Sequence, residues 1–184
     1  MSYKVINYLF VCLVVALITS PLYASSYAGE QQREIKALSA DDIDGYLTGA
    51  GMGLAKSAEL NGYPGPLHVL ELADDLALSA EQKSATQSLY DQVKQRAKTL
   101  GSDVIQQEQV LEQMFRDDTI TPQALNAQVE KISALQGELR AAHLMAHIEQ
   151  TRVLSAAQIE IYQQLRGYAD ADQHHKHKHS KHKH

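Results

Sequence analysis

A chain of 184 residues with 44% hydrophobic residues, no Trp, a single Cys and a formal net charge of −5 holds enough material for one modest domain. All 22 Asp and Glu fall within residues 25–172, with only 12 of the 17 Lys and Arg, so the body would repel phosphate and nucleic-acid binding is disfavoured. The one cysteine, Cys12, sits in the amino-terminal apolar run, which leaves no disulfide and no thiol chemistry to the mature protein.

Lys4, the apolar run Leu9 to Ile18 and the Pro21-Leu22-Tyr23-Ala24 exit read as a secretory signal over residues 1–24, cleaved near Ala24, with Ala28 as an alternative site. The run is short for a membrane span, and Cys12 follows Val11 rather than a small residue, so it is no lipid-attachment site. A periplasmic location follows for the domain of residues 25–172.

Beyond a polar start, Ser39 is placed to cap a helix running to about Asn61. Its glycines Gly45, Gly49 and Gly53 recur every fourth residue. Interior glycine costs about 0.8–1 kcal/mol relative to Ala, so this stripe implies either close approach of another backbone or a stretch that is partly loop. Asn61-Gly62-Tyr63-Pro64-Gly65 forces a turn, and Pro66 opens a short helix to Leu76. From Ser79, Leu89, Val93, Ala97, Leu100, Val104, Leu111 and Phe115 keep helical spacing to Arg116, a helix of roughly 55 Å. Thr121-Pro122 restarts the chain, and Leu125, Val129, Ile132, Leu135 and Leu139 draw the matching stripe on a returning helix. A last helix from Ser155 carries Ile159, Tyr162 and Leu165 before Gly167. The expected fold is all-α: an elongated helical hairpin with short flanking helices.

Two of these helix starts share a phrase, Leu78-Ser79-Ala80-Glu81-Gln82 and Leu154-Ser155-Ala156-Ala157-Gln158. In each, Ser can accept from the third backbone N–H while Gln returns to the N–H of the cap. Behind an export signal the pair resembles the LTxxQ motifs of the Spy/CpxP family of small periplasmic helical proteins, with Ser in the place of Thr. That resemblance spans most of residues 66–168. It implies a homodimer curved into a cradle that holds unfolded or misfolded envelope proteins without ATP and serves the envelope stress response. The segment from Tyr27 to Gly65 exceeds the family's minimal unit and receives no role.

Metal chemistry is the second expectation. His143 and His147, one turn apart, point the same way and can share an ion. His68, with Glu71 and Asp75 on the short helix, adds a nitrogen and carboxylate oxygens suited to Zn, Ni or Cu. The resemblance extends to periplasmic heavy-metal sensors similar to CnrX and ZraP, which use histidines on the helices flanking these motifs and signal to a membrane partner. Those sensors pair two histidines on the short helix, whereas four residues after His68 this chain has Leu72. The tail from Gln173 to His184 holds His174, His175, His177, His179, His182 and His184 among four lysines, an avid but unselective chelator. No Ser, His and Asp set stands out, and Gly49-Ala50-Gly51-Met52-Gly53 lacks the strand and spacing of a nucleotide loop, so no catalysis and no required cofactor are expected.

Overall fold

The computed structural model describes residues 27–168, and the signal segment and the histidine tail lie outside the described residues. The chain divides into two compact units at Arg33. Of the first, Tyr27 to Arg33 is described: a single 3-10 turn, Glu30–Gln32, with Arg33 paired to Glu30 at 3.2 Å.

Among the described residues, the second unit contains six helices and no strand. They are α1 (Ala40–Thr48), α2 (Lys56–Glu59), α3 (Pro66–Glu71), α4 (Ala80–Arg116), α5 (Pro122–Val153) and α6 (Ala156–Leu165). Both shared phrases start helices as their chemistry requires. Ser79 Oγ accepts from Gln82 N at 3.2 Å while Gln82 Oε1 accepts from Ser79 N at 3.0 Å, and Ser155 with Gln158 repeats the box at 3.3 and 2.9 Å. Ser39 makes a third box with Asp42, and Thr121 with Pro122 opens α5.

The two long helices are cross-linked in opposite order. Gln150 Nε2 donates to Thr86 Oγ1 at 3.1 Å, Arg96 to Glu138 at 2.8 Å, and Gln128 Nε2 to the Gln107 carbonyl at 2.7 Å. Each step up α4 is thus a step down α5. Thr86 and Gln150 are fully buried, so this seam mixes polar rungs with the apolar stripe of Ala97, Leu100, Val104, Ile132 and Leu139. A buried amide without its partner costs about 1–3 kcal/mol, so such rungs penalise slipped registers.

The helix expected from Ser39 to Asn61 is broken. Gly49, Met52 and Gly53 all adopt left-handed φ, which ends α1 at Thr48 and leaves the single turn of α2 beyond a loop. The glycine stripe is therefore partly loop, and it also meets another backbone closely at Gly49, where a Cβ would lie 2.8 Å from the Lys94 carbonyl oxygen. The tightest backbone approach falls elsewhere, at Gly101 on α4, where a Cβ would lie 2.4 Å from the Tyr46 carbonyl oxygen. There α1 crosses α4, and Tyr46 and Leu54 pack on Ala97, Leu100 and Leu139. The short helix α3 likewise stops at Glu71 rather than Leu76. Turns through Ala77, at φ +47°, return Leu78 N to the Ala73 carbonyl at 3.0 Å and set the chain for Ser79.

The second core joins the motifs. Leu78 and Leu154, the leucines that open the two phrases, are buried in one cluster with Val69, Leu76 and Tyr162. Burying such a side chain is worth about 1.5–3 kcal/mol, so each phrase fixes a helix start and anchors it.

Candidate functional site

The capping glutamines do more than cap. Gln82 Nε2 donates to Gln158 Oε1 at 2.9 Å and Gln158 Nε2 donates to Gln82 Oε1 at 3.0 Å, a reciprocal amide pair. Each amide also reaches a backbone carbonyl at the other motif, Gln82 to Val153 at 2.9 Å and Gln158 to Leu76 at 3.1 Å. Both side-chain nitrogens thus donate twice. The repeat in the sequence is a contact in space.

A pocket of about 350 Å³ is lined by Thr48 to Gly51 after α1, Gly65 to His68 at the start of α3, Tyr90, Val93 and Lys94 of α4, and His143, Ala146 and His147 of α5. His68, distant in sequence, lines one cavity with His143 and His147. Glu71 is not on that lining. It holds His68 from outside that lining, with Oε2 2.8 Å from Nδ1, which donates to the carboxylate. His147 repeats the arrangement with a backbone partner, Nδ1 donating to the Tyr63 carbonyl at 2.7 Å. A carbonyl can only accept, so Nδ1 of His147 carries the N–H. Gly65 makes room for this ring, since a Cβ there would lie 2.9 Å from His147 Cε1.

His143 completes the set. Its Nε2 is buried without a hydrogen-bond partner among the described residues. Burial, and secondarily the neighbouring His147, hold its pKa below the ordinary imidazole value, which favours the neutral form that ligates metals. Imidazoles with the outer N–H tied to a carboxylate or carbonyl are the donor set that zinc, nickel or copper takes, and an orphaned buried nitrogen fits that use. Among the described residues, no three His, Cys, Asp or Glu side chains are grouped tightly enough to hold one ion as they stand. Asp75 is exposed beyond the end of α3. His174, His175, His177, His179, His182 and His184 lie outside the described residues.

Sequence reasoning missed the group behind His147. Glu59, 8% exposed, accepts from the Tyr162 hydroxyl at 2.5 Å, stands 3.4 Å from Arg166 Nε, and lies 3.6 Å from His147 Nδ1. Burial first, and then the Glu59 carboxylate, drive the Tyr162 phenol far above its usual range. The available signal was Tyr162 itself. A tyrosine buried on the apolar face of a helix needs a partner for its hydroxyl. Tyr90 and Lys94 also escaped notice: the Lys94 ammonium donates to the Tyr90 hydroxyl at 3.0 Å on the pocket wall.

No described helix is long and apolar enough to cross a membrane. Comparison with protein-family models, curated proteins and solved structures gives no match.

Proposed function

We propose that this chain is a periplasmic, ATP-independent chaperone of the Spy/CpxP type, a helical hairpin paired as a homodimeric cradle that holds unfolded envelope proteins. The observation that supports this reading is the reciprocal Gln82–Gln158 pair, which ties two export-associated motifs into one junction. From that junction α4 and α5 run out to a region where Val110, Phe115 and Val129 are 42, 55 and 44% exposed. Apolar side chains among the charges of α4 and α5 suit segments of unfolded polypeptide, which present both kinds of group. No catalysis is assigned.

The test is suppression of aggregation of a reduced, unfolding client by the full chain and by Phe115→Asp with Val129→Asp. The double variant should keep its helicity and lose most of its protection. Full protection by that variant removes the client surface from these helices.

A second reading is favoured by the histidine pocket: a transition-metal sensor or buffer that binds Zn, Ni or Cu through His68, His143 and His147, with Glu71 as outer partner and the tail as an auxiliary chelator. Bound there, the ion would supply a Lewis-acid centre and a signal of its own abundance to a membrane partner. Calorimetric zinc titration of the full chain against His143→Ala with His147→Ala separates pocket from tail. Loss of one tight equivalent supports the reading, and identical isotherms reject it.

A further inference from the structure

Residues 34–38 belong to no helix, yet two of them are buried. Ile35 is 3% and Leu38 7% exposed, while Glu34, Lys36 and Ala37 face solvent. The Leu38 N–H donates to the Ile35 carbonyl at 3.2 Å, which closes a single turn around the exposed pair. The last turns of α4 grip this segment by its backbone as well as by a side chain. Glu112 accepts from the Lys36 N–H at 3.3 Å and from the Lys36 ammonium, and Arg116, one turn on, donates to the Glu34 carbonyl at 3.1 Å. A carboxylate on a backbone N–H and a guanidinium on a backbone C=O recognise polypeptide in general rather than one side chain. Phe115, in the same turn of α4, stays 55% exposed, so apolar surface continues beside the covered part. The tether is weak: the Lys36 and Arg116 side chains are 46 and 50% exposed, and ion pairs so open to water contribute little. A short segment outside the helices, held by two aliphatic side chains and such a tether, opens more readily than the helices it lies on.

We propose that the end of the hairpin around Glu112, Phe115 and Arg116 is a docking groove for short apolar segments of unfolded polypeptide, and that residues 34–38 are its built-in occupant, a strap that a client displaces. This inference rests on the chaperone reading above and gives it a site and a means of release. A client segment with two aliphatic residues three apart takes the place of Ile35 and Leu38, with Glu112 receiving its N–H and Arg116 its carbonyl. The strap lowers client affinity in proportion to the time it is docked, and its return expels the client without nucleotide.

The experiment titrates reduced, carbamidomethylated α-lactalbumin, a permanently unfolded probe, into the full chain, Ile35→Ser with Leu38→Ser, and Lys36→Met, by calorimetry. The double variant should bind the probe roughly fivefold or more tightly than the parent, and Lys36→Met should shift affinity the same way by less. A capped peptide of residues 33–39 should compete with the probe on the double variant, whereas the same peptide with both aliphatic residues replaced by serine should not. Hydrogen exchange at residues 34–38 of the parent should accelerate when the probe binds. Lys36→Met and the exchange measurement decide the matter if the double variant loses helicity. Probe binding by the parent with unchanged or lowered affinity in the variants, or with exchange at residues 34–38 unmoved, overturns the strap and leaves the chaperone reading standing. Absence of probe binding in the parent and both variants overturns the chaperone reading and this inference with it.

Discussion

Two glycines in the long helices offer a matched perturbation with opposite expected signs. At Gly137, in the exposed middle of α5, a Cβ would meet nothing within 4 Å. Gly137→Ala should therefore gain about 0.8–1 kcal/mol of helix propensity. Gly101→Ala gains the same propensity, but its Cβ would lie 2.4 Å from the Tyr46 carbonyl oxygen and 2.9 Å from Tyr46 Cα. Those are backbone atoms, so no rotamer change relieves the contact and α1 must lift from α4. Overpacking of this kind costs about 1–3 kcal/mol, and displacement of Tyr46 and Leu54 from Ala97 and Leu100 puts this site in the upper half of that range. The net expectation is a loss of about 1–2 kcal/mol at Gly101 and a difference between the variants of about 2–3 kcal/mol. At about 2–4 °C per kcal/mol for a domain of this size, that is a separation of roughly 4–12 °C in Tm. Urea unfolding followed by circular dichroism measures it directly. If Gly101→Ala matches or exceeds the stability of Gly137→Ala, the crossing of α1 over α4 is refuted.

Gln82→Ala and Gln158→Ala should each cost about 1–3 kcal/mol, because each strands a partly buried partner amide and a backbone carbonyl, and a double-mutant cycle by urea unfolding should return a coupling above about 0.5 kcal/mol. Tyr162→Phe removes a hydrogen bond to a buried carboxylate and should destabilise by about 1.5–3 kcal/mol in the same assay. With the Tyr162 phenol raised above its ordinary 10.0, its share of stability is full below pH 10 and falls as the pH rises further, so ultraviolet titration should show one tyrosine ionising only with unfolding. His143 has the opposite sign: its folded pKa is depressed below 6.5, so on acidification the unfolded chain takes up a proton that the folded chain resists, and stability falls. In His143→Gln, the loss of stability between pH 7 and pH 5 should be smaller than in the parent chain.

What was legible in the sequence was what is local. Ser79, Ser155 and Thr121 start helices because a short side chain and the residues just after it close a cap without help from the rest of the fold. The stripe from Ala97 to Val104 follows from helical period alone, and it is buried as period requires. Its outer members are not: Phe115 and Val129 share the pattern and remain exposed, because period assigns a face and not a neighbour. The segment from Ser39 to Asn61 misled because the same four-residue glycine spacing serves a packed helix and a loop, and the left-handed φ at Gly49 and Gly53 decided for the loop. The pocket was half legible. Spacing put His143 and His147 together, but only the turn at Asn61 to Gly65 brings His68 opposite them, and nothing in the pattern moved Glu71 from ligand to outer partner. Glu59 was invisible, since a glutamate in a polar stretch reads as surface until Tyr162 and Arg166 are folded over it.

The chaperone reading is tested most directly by light scattering of a reduced, unfolding client with the full chain stripped of metal by chelator, and again with residues 173–184 removed. The account predicts suppression of aggregation near one dimer per client in both samples, without nucleotide and without metal. Unchecked aggregation in both, with the helices intact by circular dichroism, would contradict it.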